Sequence, residues 1–220
     1  YNMKKITALL LLSIAFGCNS TKETVSKKTT KTPFVWESAN VYFLLLDRFQ
    51  NGNPSNDNII KRDKPTGTLR GFEGGDLRGI IQKLDEGYFT NLGINAIWMT
   101  PVVEQIHGSV DEGTGNTYGF HGYWTKDWTA IDPSYGTRAD LKELVDKAHA
   151  RGIRIMLDAV INHTGPVTEI DPAYPSDWVR TSPKCTYNSY DTYINCTLVE
   201  NLPDVLTESN QNVALPPMLV

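Results

Sequence analysis

Three short apolar runs, each long enough for a strand and too short for a helix of its own, limit what this chain can become. They lie at residues 41–46, 94–99 and 153–157. None alternates polar with apolar, so each is expected to be a parallel strand buried on both faces. Between them lie two stretches of helical period. In the first, Leu77, Ile80, Ile81 and Leu84 recur at i, i+3, i+4 and i+7 behind Asp76, a suitable N-cap. Gly87 is expected to weaken the middle of this helix by about 1 kcal/mol relative to Ala, and Gly93 to end it. In the second, Thr137 precedes Asp140 by three residues, close to a capping box. Leu141, Leu144, Val145 and Ala148 form its apolar face, and Gly152 closes it. The order β-α-β-α-β is that of an α/β fold with right-handed crossovers. It opens either a doubly wound sheet or an eight-stranded barrel.

In both folds ligands gather at the carboxyl ends of the strands. The first run ends in Asp47-Arg48-Phe49, and the third is followed by Asp158, Asn162 and His163. An acid, an amide and an imidazole at such an end suit binding or catalysis. They suit equally well a capped strand whose side chains bond loop backbone. No G-x-G-x-x-G follows the first strand, which argues against a dinucleotide. No His/Cys cluster suits zinc, and a net charge of −4 gives no reason to expect nucleic acid. Five Trp and ten Tyr offer flat faces on which sugar rings stack, although most aromatics serve the core. Residues 50–75 and 102–135 read as loops, the second rich in Gly and aromatics. Residues 164–215 are rich in Pro, Tyr and Asn and read as a loop-rich insertion after the third strand.

The amino terminus reads as a targeting segment. Met3 is followed by Lys4 and Lys5, an apolar stretch over residues 6–14, and Ala15-Phe16-Gly17-Cys18. A basic start, an apolar stretch too short to span a bilayer and small residues before the cut describe an export signal. Ala-x-Gly-Cys resembles a bacterial lipobox, which implies lipidation at Cys18 and a membrane held through a lipid anchor. On this reading Met3 is the expected natural start, with Tyr1 and Asn2 ahead of it. Residues 19–33 read as a flexible tether rich in Ser, Thr and Lys. In an exported chain the two remaining cysteines, Cys185 and Cys196, are expected to pair. Closing so short a loop should stabilise by about 3 kcal/mol on the chain-entropy model.

Asp158-Ala159-Val160-Ile161-Asn162-His163 matches the D-x-V-x-N-H segment of the α-amylase family of glycoside hydrolases. Further pieces appear in that family's order. They are Asp47-Arg48-Phe49 with Asn51-Gly52-Asn53-Pro54, Gly74-Gly75-Asp76-Leu77, the run from Gly93 through Trp98 to Pro101, and His121-Gly122-Tyr123-Trp124. Leu202-Pro203-Asp204 resembles a short segment near the end of the family's inserted B domain. The likeness covers about residues 34–210. It implies the first three strands of a TIM (β/α)8 barrel, truncated, with domain B inserted after the third. Residues 34–163 would then be a partial catalytic domain A, 164–210 a partial domain B, and 211–220 a truncated tail. It further implies an exported protein of a Gram-negative bacterium, periplasmic or at the cell surface.

The resemblance also implies roles. Asp158 would support a catalytic arginine and nucleophile, and His163 would hydrogen-bond the sugar at the cleavage subsite. Tyr123 would stack under that sugar, with His121 and Trp124 shaping the wall. Calcium would be held by Asn51, Asn53, Asn56, Asp57, Asp76 and the Gly74 carbonyl, an oxygen set of the kind that ion takes. A second calcium would lie between Asn162 and Asp204. The substrate would be an α-glucan, starch or maltooligosaccharide, cleaved with retention. A retaining glycosidase needs two carboxyl groups about 5–5.5 Å apart. In this family they follow later strands, so neither is expected among these 220 residues. The sequence is therefore expected to be an inactive fragment. Within the family a transglycosylase or glucan isomerase is the alternative, and outside it a non-catalytic glucan-binding lipoprotein.

Overall fold

The computed structural model describes residues 33–207 apart from 189, 191, 192, 194 and 200. The export segment with Cys18, the tether up to residue 32 and the tail at 211–220 lie outside the described residues.

After a 3-10 turn at Trp36–Ser38, strand β1 spans Val41–Leu44. It stops two residues before the apolar run does. The Leu46 N–H is taken by the Thr100 hydroxyl at 3.1 Å, and the chain turns into α1, Leu46–Phe49. Helix α2 spans Leu77–Asp85, capped as expected by the Asp76 carboxylate on the Gly79 N–H at 2.7 Å. Gly87 does not weaken the middle of this helix. With φ at +79° it ends it, and a separate turn α3, Tyr88–Asn91, follows before Gly93. A left-handed residue cannot continue an α-helix, so Gly87 acts as a stop.

Strand β2 is Ala96–Met99. The expected loop at 102–135 instead holds four strands: β3 Val103–Gln105, β4 Val110–Asp111, β5 Asn116–Thr117 and β6 Thr125–Ile131. β3 pairs with β6 and β4 with β5, both antiparallel. The β3–β6 register shifts twice, which breaks the period-two pattern a sequence reading relies on. Helix α4, Arg138–Ala150, carries the full capping box: Thr137 accepts from the Asp140 N–H while Asp140 accepts from the Thr137 N–H. Strand β7, Arg154–Leu157, follows Gly152. In the insertion, β8 Val179–Arg180 pairs antiparallel with β9 Asp204–Val205, and Cys185 is joined to Cys196.

The strands β1, β2 and β7 form one parallel sheet in that order, with Val41, Ala96 and Arg154 in one row and Leu44, Met99 and Leu157 in another. Leu44, Ile97 and Met99 pack against Leu77, Ile80, Ile81 and Leu84 of α2, Phe89 of α3, and Leu144 and Ala148 of α4. Each such side chain contributes roughly 2 kcal/mol by leaving water. The opposite face is not covered. Val41 is 45% exposed, Phe43 51% and Trp98 39%, and the last two touch edge to face at 4.9 Å between centroids. The expectation of burial on both faces therefore holds for one face only, because both long helices lie on the same side. The open face is the one a closed barrel turns inward.

The loop after β1 lies directly on α2. A Cβ at Gly79 would fall 1.9 Å from the Gln50 carbonyl oxygen, and one at Gly52 would fall 2.2 Å from the Gly79 nitrogen. Gly79→Ala should cost about 2 kcal/mol through overpacking, about twice the loss of the Thr137 cap in Thr137→Ala. Urea-unfolding midpoints of the two variants measure this. An unchanged midpoint in Gly79→Ala would show that loop and helix do not meet.

Candidate functional site

Because the three strands are parallel, their carboxyl ends lie along one edge, and Asp47, Thr100 and Asp158 all follow them. Tyr123 reaches this edge from the connection between β5 and β6. Gly122, at φ +89°, lets the chain lie on Pro101, whose carbonyl oxygen would be 2.8 Å from any Cβ there. The Tyr123 hydroxyl then donates to Asp158 Oδ2 at 3.0 Å. Its N–H donates to His121 Nδ1 at 3.0 Å, and its carbonyl accepts from His163 Nε2 at 3.2 Å. One residue thus gathers an acid and two imidazoles.

The hydrogen bonds assign protons. His121 Nδ1 accepts, so its proton sits on Nε2 and the ring is neutral. Burial pushes the His121 pKa down to about 4, with His163 and Arg48 acting in the same direction and Glu112 opposing. Burial lowers His163 as well, against the pull of the Tyr123 carbonyl. The Tyr123 phenol is pushed up to about 12 by burial and then by its bond to Asp158, so it remains a donor. The rings of His121 and Tyr123 lie 15° from parallel with centroids 5.9 Å apart. The result is a pair of stacked rings edged by a carboxylate and by neutral donors and acceptors. Such a surface suits a ligand with apolar faces and a rim of hydroxyls.

Trp124 is not part of that surface. It is 7% exposed, packs on Ile106 and Leu202, meets His121 edge to face, and donates its N–H to Gln105 Oε1 at 2.7 Å. It backs the wall that His121 forms. Two supporting residues escaped the sequence reading. Arg48 lies 4.0 Å from the Phe120 ring centroid while donating to the carbonyls of Leu69 and Gly71. Trp128 donates its indole N–H to the Val160 carbonyl at 2.7 Å and so holds the segment between Asp158 and His163. Neither bond has a local sequence signal.

Asn51, Asn56, Asp57, Gly74 and Asp76 converge, while Asn53 joins them through its backbone N–H and gives its Oδ1 to the Ser55 N–H and hydroxyl. Asp76, fully buried, accepts from the N–H groups of Gly52, Asn53 and Gly79 and from Asn56 Nδ2. Burial raises its pKa, with those donors opposing. Asn51 Nδ2 lies 2.9 Å from both Asp57 oxygens. The Asn51 and Asn56 side-chain oxygens are enclosed and accept no hydrogen bond among the described residues. At Gly74 a Cβ would fall 2.5 Å from Asn51 Nδ2 and 2.8 Å from Asp57 Oδ1. Among the described residues no three His, Cys, Asp or Glu side chains cluster as a metal site. The donors here are amide and carbonyl oxygens with two carboxylates, which fits a hard cation such as calcium.

The second expected calcium fits less well. Asn162 and Asp204 are neighbours through backbone, since the Val205 N–H donates to the Asn162 carbonyl and residues 163 and 204 form a bridge. The Asp204 carboxylate is 6% exposed and already faces the Arg180 guanidinium at 3.0 Å. The Arg180 guanidinium thus already lies against this carboxylate.

The family model for the α-amylase catalytic domain matches residues 43–203. A periplasmic α-amylase of Escherichia coli K12 is 43% identical over 189 residues, which cover 76% of this chain and 28% of that protein. A cyclomaltodextrin glucanotransferase of a Bacillus species, strain 1011, is 36% identical over 77% of this chain and 24% of its own length. Among solved structures, an Anoxybacillus α-amylase aligns with a TM-score of 0.64 and 34% identity, over 80% of this chain and 36% of that one. The chain thus spans about a quarter of the length of these curated relatives.

The neutral His121 has a consequence for stability. Its folded pKa lies below the ordinary value of about 6.5, so between about 6.5 and 4 the unfolded chain binds a proton that the folded one refuses. Its contribution is complete above the unfolded value and is lost as pH falls toward the folded one, and His163 acts in the same sense. Urea-unfolding free energy should therefore fall on acidification across that window. The fall should be shallower in His121→Asn, which keeps an acceptor for the Tyr123 N–H. Equal slopes would mean that His121 is not held neutral.

Proposed function

The chain belongs to the α-amylase family, and from that premise we propose that it supplies the amino-terminal part of an exported retaining hydrolase of α-1,4-linked glucan. The observation that carries the reading is the Tyr123 hub, with its hydroxyl on Asp158 and its carbonyl on His163, at the carboxyl end of a parallel sheet. In this reading a glucose ring lies with its apolar C–H face on the Tyr123 ring. Asp158, held by the Tyr123 phenol, orients the groups that carry out the displacement. His163 offers the sugar its Nδ1 edge, which among the described residues meets Asn162 Nδ2 at 3.5 Å.

The nucleophile and the acid/base, a carboxyl pair about 5–5.5 Å apart in a retaining enzyme, are assigned to later barrel strands, beyond residue 220. These 220 residues alone would then cleave no starch. Export is supported by the periplasmic relative. The glucanotransferases among the relatives favour one alternative, transfer of the glucosyl chain to a sugar hydroxyl instead of to water. Calcium would be held by Asn51, Asn53, Asn56, Asp57, Asp76 and the Gly74 carbonyl. Its role would be to fasten the loop after β1 to the start of α2.

In the intact protein, His163→Ala should lower kcat/KM for maltooligosaccharides by about 10² if its contact tightens at the transition state. Its melting temperature should move little. Wild-type turnover in that variant would return His163 to a purely local role. Calcium should raise the melting temperature of the intact protein as a ligand of the folded state, and Asp57→Ala should shrink that rise. A wild-type melting curve unaffected by chelator would remove calcium from the reading.

A further inference from the structure

The insertion packs against domain A around a cleft that the functional reading leaves unused. Its volume is about 500 Å³, and Trp128, Tyr174 and Trp178 line it together with Glu104, Lys126 and Asp127. None of these is a residue of the Tyr123 hub. Tyr174 and Trp178, four apart, lie 21° from parallel with centroids 6.2 Å apart. Both pack on a small core of Trp128, Val179 and Val205 without being fully buried. The Trp178 backbone is held at both ends: its N–H donates to the Pro175 carbonyl at 2.9 Å, and its carbonyl accepts from the Leu206 N–H at 2.9 Å.

The polar groups around these rings are only partly satisfied by one another. Asp127 Oδ1 accepts from the Thr129 N–H and hydroxyl, each at 2.7 Å, while its Oδ2 has no partner among the described residues. The Lys126 ammonium lies 3.4 Å from Asp171 and 3.9 Å from Glu104. The Tyr174 hydroxyl is enclosed and makes no hydrogen bond among the described residues.

We propose that this cleft is a second saccharide-binding site, separate from the Tyr123 subsite, and that it takes a segment of α-linked glucan. The choice of sugar rests on the proposed function. The choice of a sugar at all rests on the lining. A cationic ligand would meet Lys126, an anionic one Glu104 and Asp127, and a wholly apolar one would bury the Asp127 carboxylate without a partner. A pyranose fits each group. Its C–H face covers the Tyr174 and Trp178 rings, while its hydroxyls donate to Asp127 and accept from Lys126. The site holds a long glucan at a distance from the cleavage point, so short substrates do not use it.

The test uses the intact protein in native gels containing soluble starch, with turnover of a short chromogenic maltoside measured in parallel. Trp178→Ala should weaken the starch-dependent retardation about tenfold in apparent Kd, the worth of one lost stacking platform. Asp127→Asn, which preserves shape, should weaken it about threefold. Both variants should turn over the short maltoside as the wild type does. Wild-type retardation in Asp127→Asn and in folded Trp178→Ala overturns the site whatever the turnover shows, and so does a wild-type protein that starch does not slow. Retardation that depends on Trp178, in a wild type that cleaves no maltoside, overturns the catalytic reading and leaves the site standing.

Discussion

A parallel ladder running from Val41, Ala96 and Arg154 to Leu44, Met99 and Leu157 brings three strand ends to one edge of a sheet. Each strand hands on to a polar residue there, and the candidate site depends on that shared edge. Shifting β7 by one residue would turn Leu157 and Asp158 to opposite faces and part Asp158 from the Tyr123 hydroxyl. The register is secured from the other side of the sheet. Ile97 and Met99 are fully buried against α2, and a slipped strand would exchange them for Trp98, which is shaped for the open face.

Tyr123 turns that edge into a site without adding charge. Its phenol stays protonated, both imidazoles beside it are held neutral by burial, and Asp158 is the one carboxylate among the described residues that the hub bonds. Neutral donors and acceptors are worth more to a sugar than fixed charges. A pyranose hydroxyl can donate or accept, and an unpaired ion in a half-buried wall would have to be desolvated for each binding event. The cleft at Tyr174 and Trp178 carries Glu104, Lys126 and Asp127, as would suit a place that holds a chain and leaves its bonds intact.

Much of this was legible because the signals were local. Asp76 and Thr137 cap their helices as four-residue spacing implies, and the apolar runs became the parallel strands. What escaped was non-local or irregular. β6 reads Thr125-Lys126-Asp127-Trp128-Thr129-Ala130-Ile131, with no clean alternation, because its pairing with β3 slips twice. Gly87 stands in the sequence as a weak point inside a helix, because glycine identity does not disclose the sign of φ. The Tyr123–Asp158 bond joins residues 35 apart, and only the resemblance to a family brought them together beforehand. The same resemblance gave Asp204 a calcium, and nothing in its motif shows that Arg180 faces the carboxylate.

The proposed cation cradle and the proposed sugar wall are joined by one pair of neighbours. Asp47 accepts from the N–H groups of Glu73 and Gly74, the latter at the rim of the cradle, and burial pushes its carboxyl up to about 6. Arg48, 3.1 Å from that carboxylate, lies over Phe120 and donates to the Gly71 carbonyl. Phe120 precedes His121 and accepts from the Tyr135 hydroxyl at 2.8 Å through its carbonyl. A contiguous set of contacts therefore runs from Gly74 through Asp47 and Arg48 to the wall of the site. Along that path a hard cation bound by Asn51 and Asp57 would act by geometry, not by its field. It would fix the loop that carries Gly74, and with it the angle at which Arg48 supports the Phe120–His121 turn. A metal with no place in the chemistry would then set the shape of the surface on which the sugar rests.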